Sequence, residues 1–198
     1  MIYSENRILA RLLASKANIK RLISAEPNKN TALVDKFGRF HNYLRMSLTE
    51  KCNLRCKYCM PEEGVKLTSR ANLMSLEERK RVLSVFAHLG VTKLRFTGGE
   101  PTLSKDLVEL VRFAKHLGMH SIGITTNGIQ VGPRVLDGLA AAGLTSINVS
   151  VDSLDSAKFA AITRRDAKGL LKALATLYGS VSRGLSTKVT HLIDFAYH

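Results

Sequence analysis

Beyond Phe40 the chain alternates short apolar runs with longer stretches of helical periodicity. The runs "YLRMSLT", "VTKLRFT", "HSIGITT" and "LTSINVSV" have the length and aliphatic content of strands buried in a parallel sheet. Helix signals lie between them. Ser75 with Glu78 three residues on is a capping-box signature, and the helix it opens ends at Gly90. Ser104 with Asp106 predicts the start of a second helix, which stops at Gly118. Pro133 suits the first turn of a third, closed by Gly143. "DSLDSAKFAAITRRDAKGLLKALATLYG" predicts helix in its later part, and "TKVTHLI" predicts a fifth strand.

Strand, helix and strand recurring at about 25 to 30 residues imply right-handed βαβ units and a parallel sheet, curved or open. Glycine and polar residues gather after each run, as "TEKCN", "TGGEP", "TTNG" and "SVDS". In a β/α barrel these segments share the C-terminal rim, where sites are built. A doubly wound sheet also places functional loops at strand ends, so both architectures accommodate the pattern.

The first 24 residues read differently. Arg7, Arg11, Lys16, Lys20 and Arg21 stand against the single acid Glu5, with Ile8, Leu9, Leu12, Leu13, Ile19, Leu22 and Ile23 near helical spacing. Such a basic amphipathic helix resembles an organellar transit segment, and an ordinary surface helix is the alternative. "EPNKN" follows as a linker. Residues 1–36 are thus expected to be a basic N-terminal segment and residues 37–198 the folded domain. With 45% hydrophobic residues, the 198-residue chain has ample apolar material for one core, and its longest apolar runs are too short to cross a bilayer. A formal charge of +14 favours anionic partners. An aromatic content of 6% without Trp gives little support to a platform of stacked bases, so a polyphosphate small molecule fits at least as well as nucleic acid.

All three cysteines, Cys52, Cys56 and Cys59, fall within eight positions, spaced C-x3-C-x2-C. Their odd number and close spacing disfavour a disulfide framework and favour a metal. Structural zinc normally takes four protein ligands, and neither His41 nor His88 lies at finger or ribbon spacing. A 4Fe-4S cluster held by three thiolates leaves one iron open for a substrate or cosubstrate. Zinc, or a loop of reactive thiols, remains the alternative at this point.

"CNLRCKYC" followed after a strand by "GGEP" resembles the radical SAM enzymes. More narrowly, "YLRMSLTEKCNLRCKYCMPEEGVKLT", "LRFTGGEPTL", "ITTNGI" and "AGLTSINVSVDSLD" resemble the GTP 3′,8-cyclase family, which opens molybdenum cofactor biosynthesis, and its eukaryotic mitochondrial branch above all. The resemblance runs from about Phe37 to Arg165. It implies an α/β fold, a partial (β/α) TIM-like barrel. The stretch from Tyr43 to His198 is shorter than the roughly 180 residues that six units of about 30 need, so truncation after four to five βα units is expected.

The resemblance also implies roles. Cys52, Cys56 and Cys59 would ligate the 4Fe-4S cluster, and S-adenosylmethionine (SAM) would chelate the open iron. Tyr58, Gly99 and Ser150 match cosubstrate positions, while Arg45, Arg95 and Thr125 match positions that contact GTP. Both arginines sit in strand runs, where an unpaired guanidinium is costly, so each is expected to face an anion; a structural pair with Glu100 or Asp152 is the alternative. Further implied are an electron donor, a downstream cyclic pyranopterin monophosphate synthase, dimerisation as often found in the family, and a mitochondrial matrix location, or a cytoplasmic one if the first segment is not a transit peptide. Neither a nucleic-acid partner nor a membrane span is expected. The family carries three further cysteines for a second cluster, and none occurs here. A non-catalytic piece that binds a partner and a basic zinc-binding nucleic-acid module are the competing readings.

Overall fold

The structure is a computed structural model and describes residues 32–191. The basic segment, the linker and the last two residues of "TKVTHLI" lie outside the described residues. The chain divides into two compact units, one ending at His41 and one beginning at Asn42. The described part of the first is a tight reversal closed by an antiparallel bridge between Val34 and Phe40. Asp35 organises it, accepting from the amides of Phe37 (2.9 Å) and Arg39 (3.0 Å) and from the Arg39 guanidinium (2.8 Å).

The second unit contains five strands, β1 (Tyr43–Ser47), β2 (Lys93–Thr97), β3 (Ser121–Thr126), β4 (Ser146–Ser150) and β5 (Ser186–Thr190). Five α-helices lie between them: α1 (Leu76–His88), α2 (Leu107–His116), α3 (Pro133–Ala142), α4 (Ser156–Thr163) and α5 (Lys168–Val181). The strands pair in parallel in the order β1-β2-β3-β4-β5. That sequential order settles what spacing alone left open. A doubly wound sheet reverses direction from its middle, whereas a barrel adds each strand beside the last. The described sheet is therefore a partial TIM-like barrel.

Period-2 alternation sorts each strand into two faces. Leu94, Phe96, Ile122, Ile124, Ile147 and Val149 are all but fully buried on the helix side, with Leu83, Leu110, Val111, Leu136 and Leu139 packed into the same core. The other face carries Arg45, Arg95, Gly123, Ser146 and Ser186 in one row and Thr125, Asn148 and Lys188 in the next. Parallel strands are usually apolar on both faces. Here one face is polar and basic, and it leads to the loops at the strand ends.

Several helix ends form as the sequence predicts. The Ser75 hydroxyl accepts from the Glu78 amide (3.3 Å) while Glu78 takes the Ser75 amide (2.7 Å), a complete capping box. Gly143 terminates α3 at φ 103°, in the left-handed region that favours glycine. Two expectations need correction. Neither Ser104 nor Asp106 caps α2 with its side chain; the Asp106 carboxylate instead takes the Arg79 guanidinium at 2.9 Å. A buried cation outcompetes a cap that water can supply. The stretch after Asp152 is helical in its earlier part as well: Asp155 caps α4 by accepting from the Lys158 amide at 2.8 Å, and the helix breaks at Arg164, whose φ is 51°.

Candidate functional site

The cysteine loop leaves β1 at its C-terminal end. Arg79 of α1, buried on the helix side, donates to the Leu48 carbonyl at 3.1 Å and so fixes the point of departure. The loop then runs against the "GGEP" turn that follows β2. The Gly99 amide donates to the Thr49 carbonyl (2.6 Å) and the Glu100 amide to the Lys51 carbonyl (2.8 Å). Glycine is a steric requirement here. A Cβ on Gly98 would stand 2.5 Å from the Thr49 carbonyl oxygen, and one on Gly99 would stand 2.6 Å from that of Glu50. The close approach of the loop's own backbone is by itself sufficient reason for glycine at position 99. The Gly99 carbonyl accepts no hydrogen bond among the described residues.

Glu100, only 1% exposed, is the hub of the strand ends. Its Oε1 accepts from the Thr102 amide (3.1 Å), the Thr102 hydroxyl (2.6 Å) and the Thr126 hydroxyl (2.7 Å); its Oε2 accepts from the Asn127 amide (2.8 Å). The Asn127 side-chain amide in turn donates to Asn53 Oδ1 at 2.7 Å. One buried carboxyl thereby connects the ends of β2 and β3 to the interior of the cysteine loop. A hub this fully satisfied offsets the cost of burying the group.

These segments enclose a cavity of about 200 Å³ lined by Cys52, Cys56, Cys59, Tyr58, Gly99, Ser150, Arg45 and Thr125, among others. Eight of the nine residues singled out from the sequence thus converge. Arg95 lies outside the lining, flat across the sheet: its Nε donates to the Tyr43 hydroxyl (3.0 Å) and its Nη1 to the Ile124 carbonyl (3.1 Å). The alternative pairing with Glu100 or Asp152 does not occur for either arginine among the described residues. Arg45 has no hydrogen-bond or ion-pair partner among the described residues, and its exposed guanidinium is available to an anion.

The Tyr58 hydroxyl lies 3.1 Å from Asp152 Oδ2 and also reaches the Cys56 thiol. Burial pushes the Cys56 thiol up to about 12, reinforced by the nearby Cys59 and by Asp152. It also raises Cys52, against the Leu54 amide, which donates to the Cys52 sulfur at 3.4 Å. Burial again raises Asp152, opposed by the Tyr58 hydrogen bond and by His191. Burial and nearby acidic groups both disfavour the thiolate form of Cys52 and Cys56, a site short of positive charge, and a metal centre that binds thiolates supplies it.

Among the described residues no three His, Cys, Asp or Glu side chains are gathered around a single ion. A single ion needs all its ligands in one coordination sphere, whereas a 4Fe-4S cube takes each thiolate on a separate iron. The donor set fits the cube: three sulfurs facing one cavity, an amide aimed at one of them, and room beside it.

The Radical SAM superfamily model matches residues 46–193. The chain belongs to this superfamily. Molybdenum cofactor biosynthesis protein 1 of Homo sapiens is 48% identical over 176 residues, which cover 83% of this chain and 27% of that protein. The mitochondrial GTP 3′,8-cyclase of Arabidopsis thaliana is 51% identical over 134 residues, 67% of this chain and 34% of that protein. This Radical SAM chain therefore spans about a quarter to a third of those relatives' length. Streptococcus suis SuiB, solved bound to S-adenosylmethionine, shares the fold with a TM-score of 0.60 at 19% identity, over 93% of this chain and 43% of that one.

Sequence reasoning missed Asn53, Asn127, Arg79 and the clamp at the end of α4, where the amides of Arg55 and Lys57 donate to the carbonyls of Thr163 (3.0 Å) and Ile162 (2.9 Å). No local signal marks them, because each acts on a partner remote in the chain. The one available hint for Asn127 was its place in "TTNG", directly after a strand.

Proposed function

We propose that this chain is the SAM-binding part of a GTP 3′,8-cyclase, a lyase that carries out the first step of molybdenum cofactor biosynthesis. The convergence of Cys52, Cys56 and Cys59 with Arg45, Thr125 and Ser150 on one cavity carries the reading, supported by the names of relatives about half identical to it. A bound 4Fe-4S cluster and SAM would supply one-electron reductive cleavage and hence a 5′-deoxyadenosyl radical for hydrogen abstraction from the ribose of GTP; closure of that carbon onto C8 of guanine would be completed by a second electron and a proton.

The protein's own residues position and shield. Cys52, Cys56 and Cys59 hold the cluster. The Gly99 carbonyl, left without a partner among the described residues, would accept from the methionine ammonium of SAM, Ser150 would contact the cosubstrate from β4, and the Tyr58 backbone would contact its adenine. Arg45 and Thr125 would face the nucleotide from the polar side of the sheet, with Arg95 on the same face, its guanidinium held by Tyr43 and the Ile124 carbonyl. The triphosphate is the anion that the unpartnered Arg45 calls for. An electron donor supplies the two reducing equivalents, one for cleavage of SAM and one to complete the cyclised product, the product passes to cyclic pyranopterin monophosphate synthase, and the assembly is dimeric. The Arabidopsis relative's name and the Lys- and Arg-rich first segment support a mitochondrial matrix location.

The test is anaerobic reconstitution with iron and sulfide, followed by SAM, dithionite and GTP. The expected result is 5′-deoxyadenosine from the wild-type chain and none from Cys56→Ala, with GTP binding weakened by Arg45→Ala. A wild-type chain that takes up no iron, or that loads iron and leaves SAM intact, refutes the proposal.

A further inference from the structure

The cysteine loop is held from outside the cavity by three guanidiniums. Arg55, within the loop, donates Nη1 to the carbonyls of Cys52 (2.9 Å) and Leu54 (2.7 Å). Arg164 donates Nη1 to the carbonyls of Arg55 (3.3 Å) and Met60 (3.1 Å), bridging the two ends of the Cys56–Cys59 turn. Arg165 donates Nε to the Asn53 carbonyl (3.3 Å) and Nη1 to the Arg164 carbonyl (2.8 Å).

A trans peptide points its N–H and C=O in opposite directions. The Asn53–Leu54 peptide therefore does two things at once: its oxygen is taken by Arg165 on the outside, and its N–H is given to the Cys52 sulfur on the inside. Drawing the carbonyl outward aims the donor inward and polarises it. Arg164 is also the one non-glycine residue with positive φ among the described residues, at 51°. Such a conformation costs an L-residue energy and persists where the surroundings demand it. That left-handed turn at the end of α4 sends both Arg164 and Arg165 back onto a loop more than a hundred positions earlier.

We propose that Arg164 and Arg165 are positioning residues of the cysteine loop, holding its carbonyls outward so that its amides and thiols face the cavity, and thereby setting both the hold on the iron-sulfur cluster and its reduction potential. Hydrogen bonds to the sulfurs and nearby charge are the protein's levers on that potential. The proposal rests on the reading that Cys52, Cys56 and Cys59 hold the cluster.

Arg164→Gly separates the roles, because glycine adopts φ 51° freely while the guanidinium is lost. The full chain is reconstituted and three quantities are read: the thermal midpoint before loading, the rate of iron loss to a chelator, and the midpoint potential by titration with optical detection. For Arg164→Gly the unloaded midpoint is expected to be equal to or above the wild type, with iron lost several-fold faster. Arg165→Gln is expected to lower the potential by about 59 mV, a tenfold change for a one-electron couple, with iron loading unchanged. Arg164→Lys keeps the charge on a shorter side chain that falls short of the two carbonyls Nη1 bridges, and is expected to lose iron faster at a near wild-type potential. A loaded wild type whose variants match it in iron loss and potential overturns this inference alone. An Arg164→Gly chain that melts far below the wild type assigns Arg164 to the fold and overturns its part. A wild type that takes up no iron overturns the cluster reading and this one with it.

Discussion

Replacing Glu100 by Gln tests how the strand ends hold the cysteine loop. The substitution keeps the shape of the side chain and exchanges one acceptor oxygen for an NH2 donor. Placed where Oε2 stands, the NH2 opposes the Asn127 amide, which now gives its hydrogen to Glu100 across 2.8 Å. Placed where Oε1 stands, it opposes the Thr102 amide at 3.1 Å, while the hydroxyls of Thr102 and Thr126 can rotate to accept. Either way one backbone N–H beside a fully buried group loses its partner. That costs about 1–3 kcal/mol, or about 2–12 °C in melting temperature at the ~2–4 °C per kcal/mol typical of a domain this size. The assay is thermal unfolding of the cluster-free chain, followed by circular dichroism, so that no bound group contributes. A double-mutant cycle with Asn53→Ala should show coupling above about 0.5 kcal/mol, because both changes act on the Asn127 tie. An E100Q chain that melts within about 1 °C of the wild type, or strict additivity with Asn53→Ala, would refute the hub.

Gly99→Ala should force the "GGEP" turn away from Thr49 to Lys51 and break two backbone hydrogen bonds, costing about 1–3 kcal/mol; SAM affinity by calorimetry should fall with it, and an unchanged melting curve would contradict the steric reading. Arg79→Met should destabilise by about 2–4 kcal/mol in urea unfolding, since it leaves the Leu48 carbonyl without its donor and Asp106 without its ion pair, only partly eased by the partial exposure of Asp106. Cluster-free protein should lose stability as pH rises from the ordinary thiol value near 9 toward about 12. Over that interval the unfolded Cys56 releases its proton while the folded thiol keeps it, so the unfolded state gains. Urea midpoints measured across that range should fall more steeply for the wild type than for Cys56→Ala, and loading with iron and sulfide should remove the difference.

Much of this protein could be read residue by residue. Strand runs, the Ser75 capping box, the glycine that ends α3 and the C-x3-C-x2-C loop are all written in local spacing, because backbone preference and side-chain period act over a few positions. Convergence of the cysteines with Gly99, Ser150, Arg45 and Thr125 was legible as well, since every strand end of a β/α fold opens on the same rim. Arg95 shares the polar sheet face with Arg45 but lies outside the cavity lining. Strand position named its face and could not say that Tyr43 and the Ile124 carbonyl would occupy its guanidinium.

What the amino-acid order determined by itself was the set of elements and the kind of chemistry the thiol loop could support. Only the tertiary structure decided that the strands add sequentially, that Asp106 gives up its cap for Arg79, that Glu100 reaches Asn53 through Asn127, and that Arg164 turns left-handed to grip the loop. The physical reason is range. A hydrogen bond between residues 74 or 104 positions apart leaves no trace in either local window, and a basic side chain destined to hold a carbonyl looks the same in sequence as one destined for water.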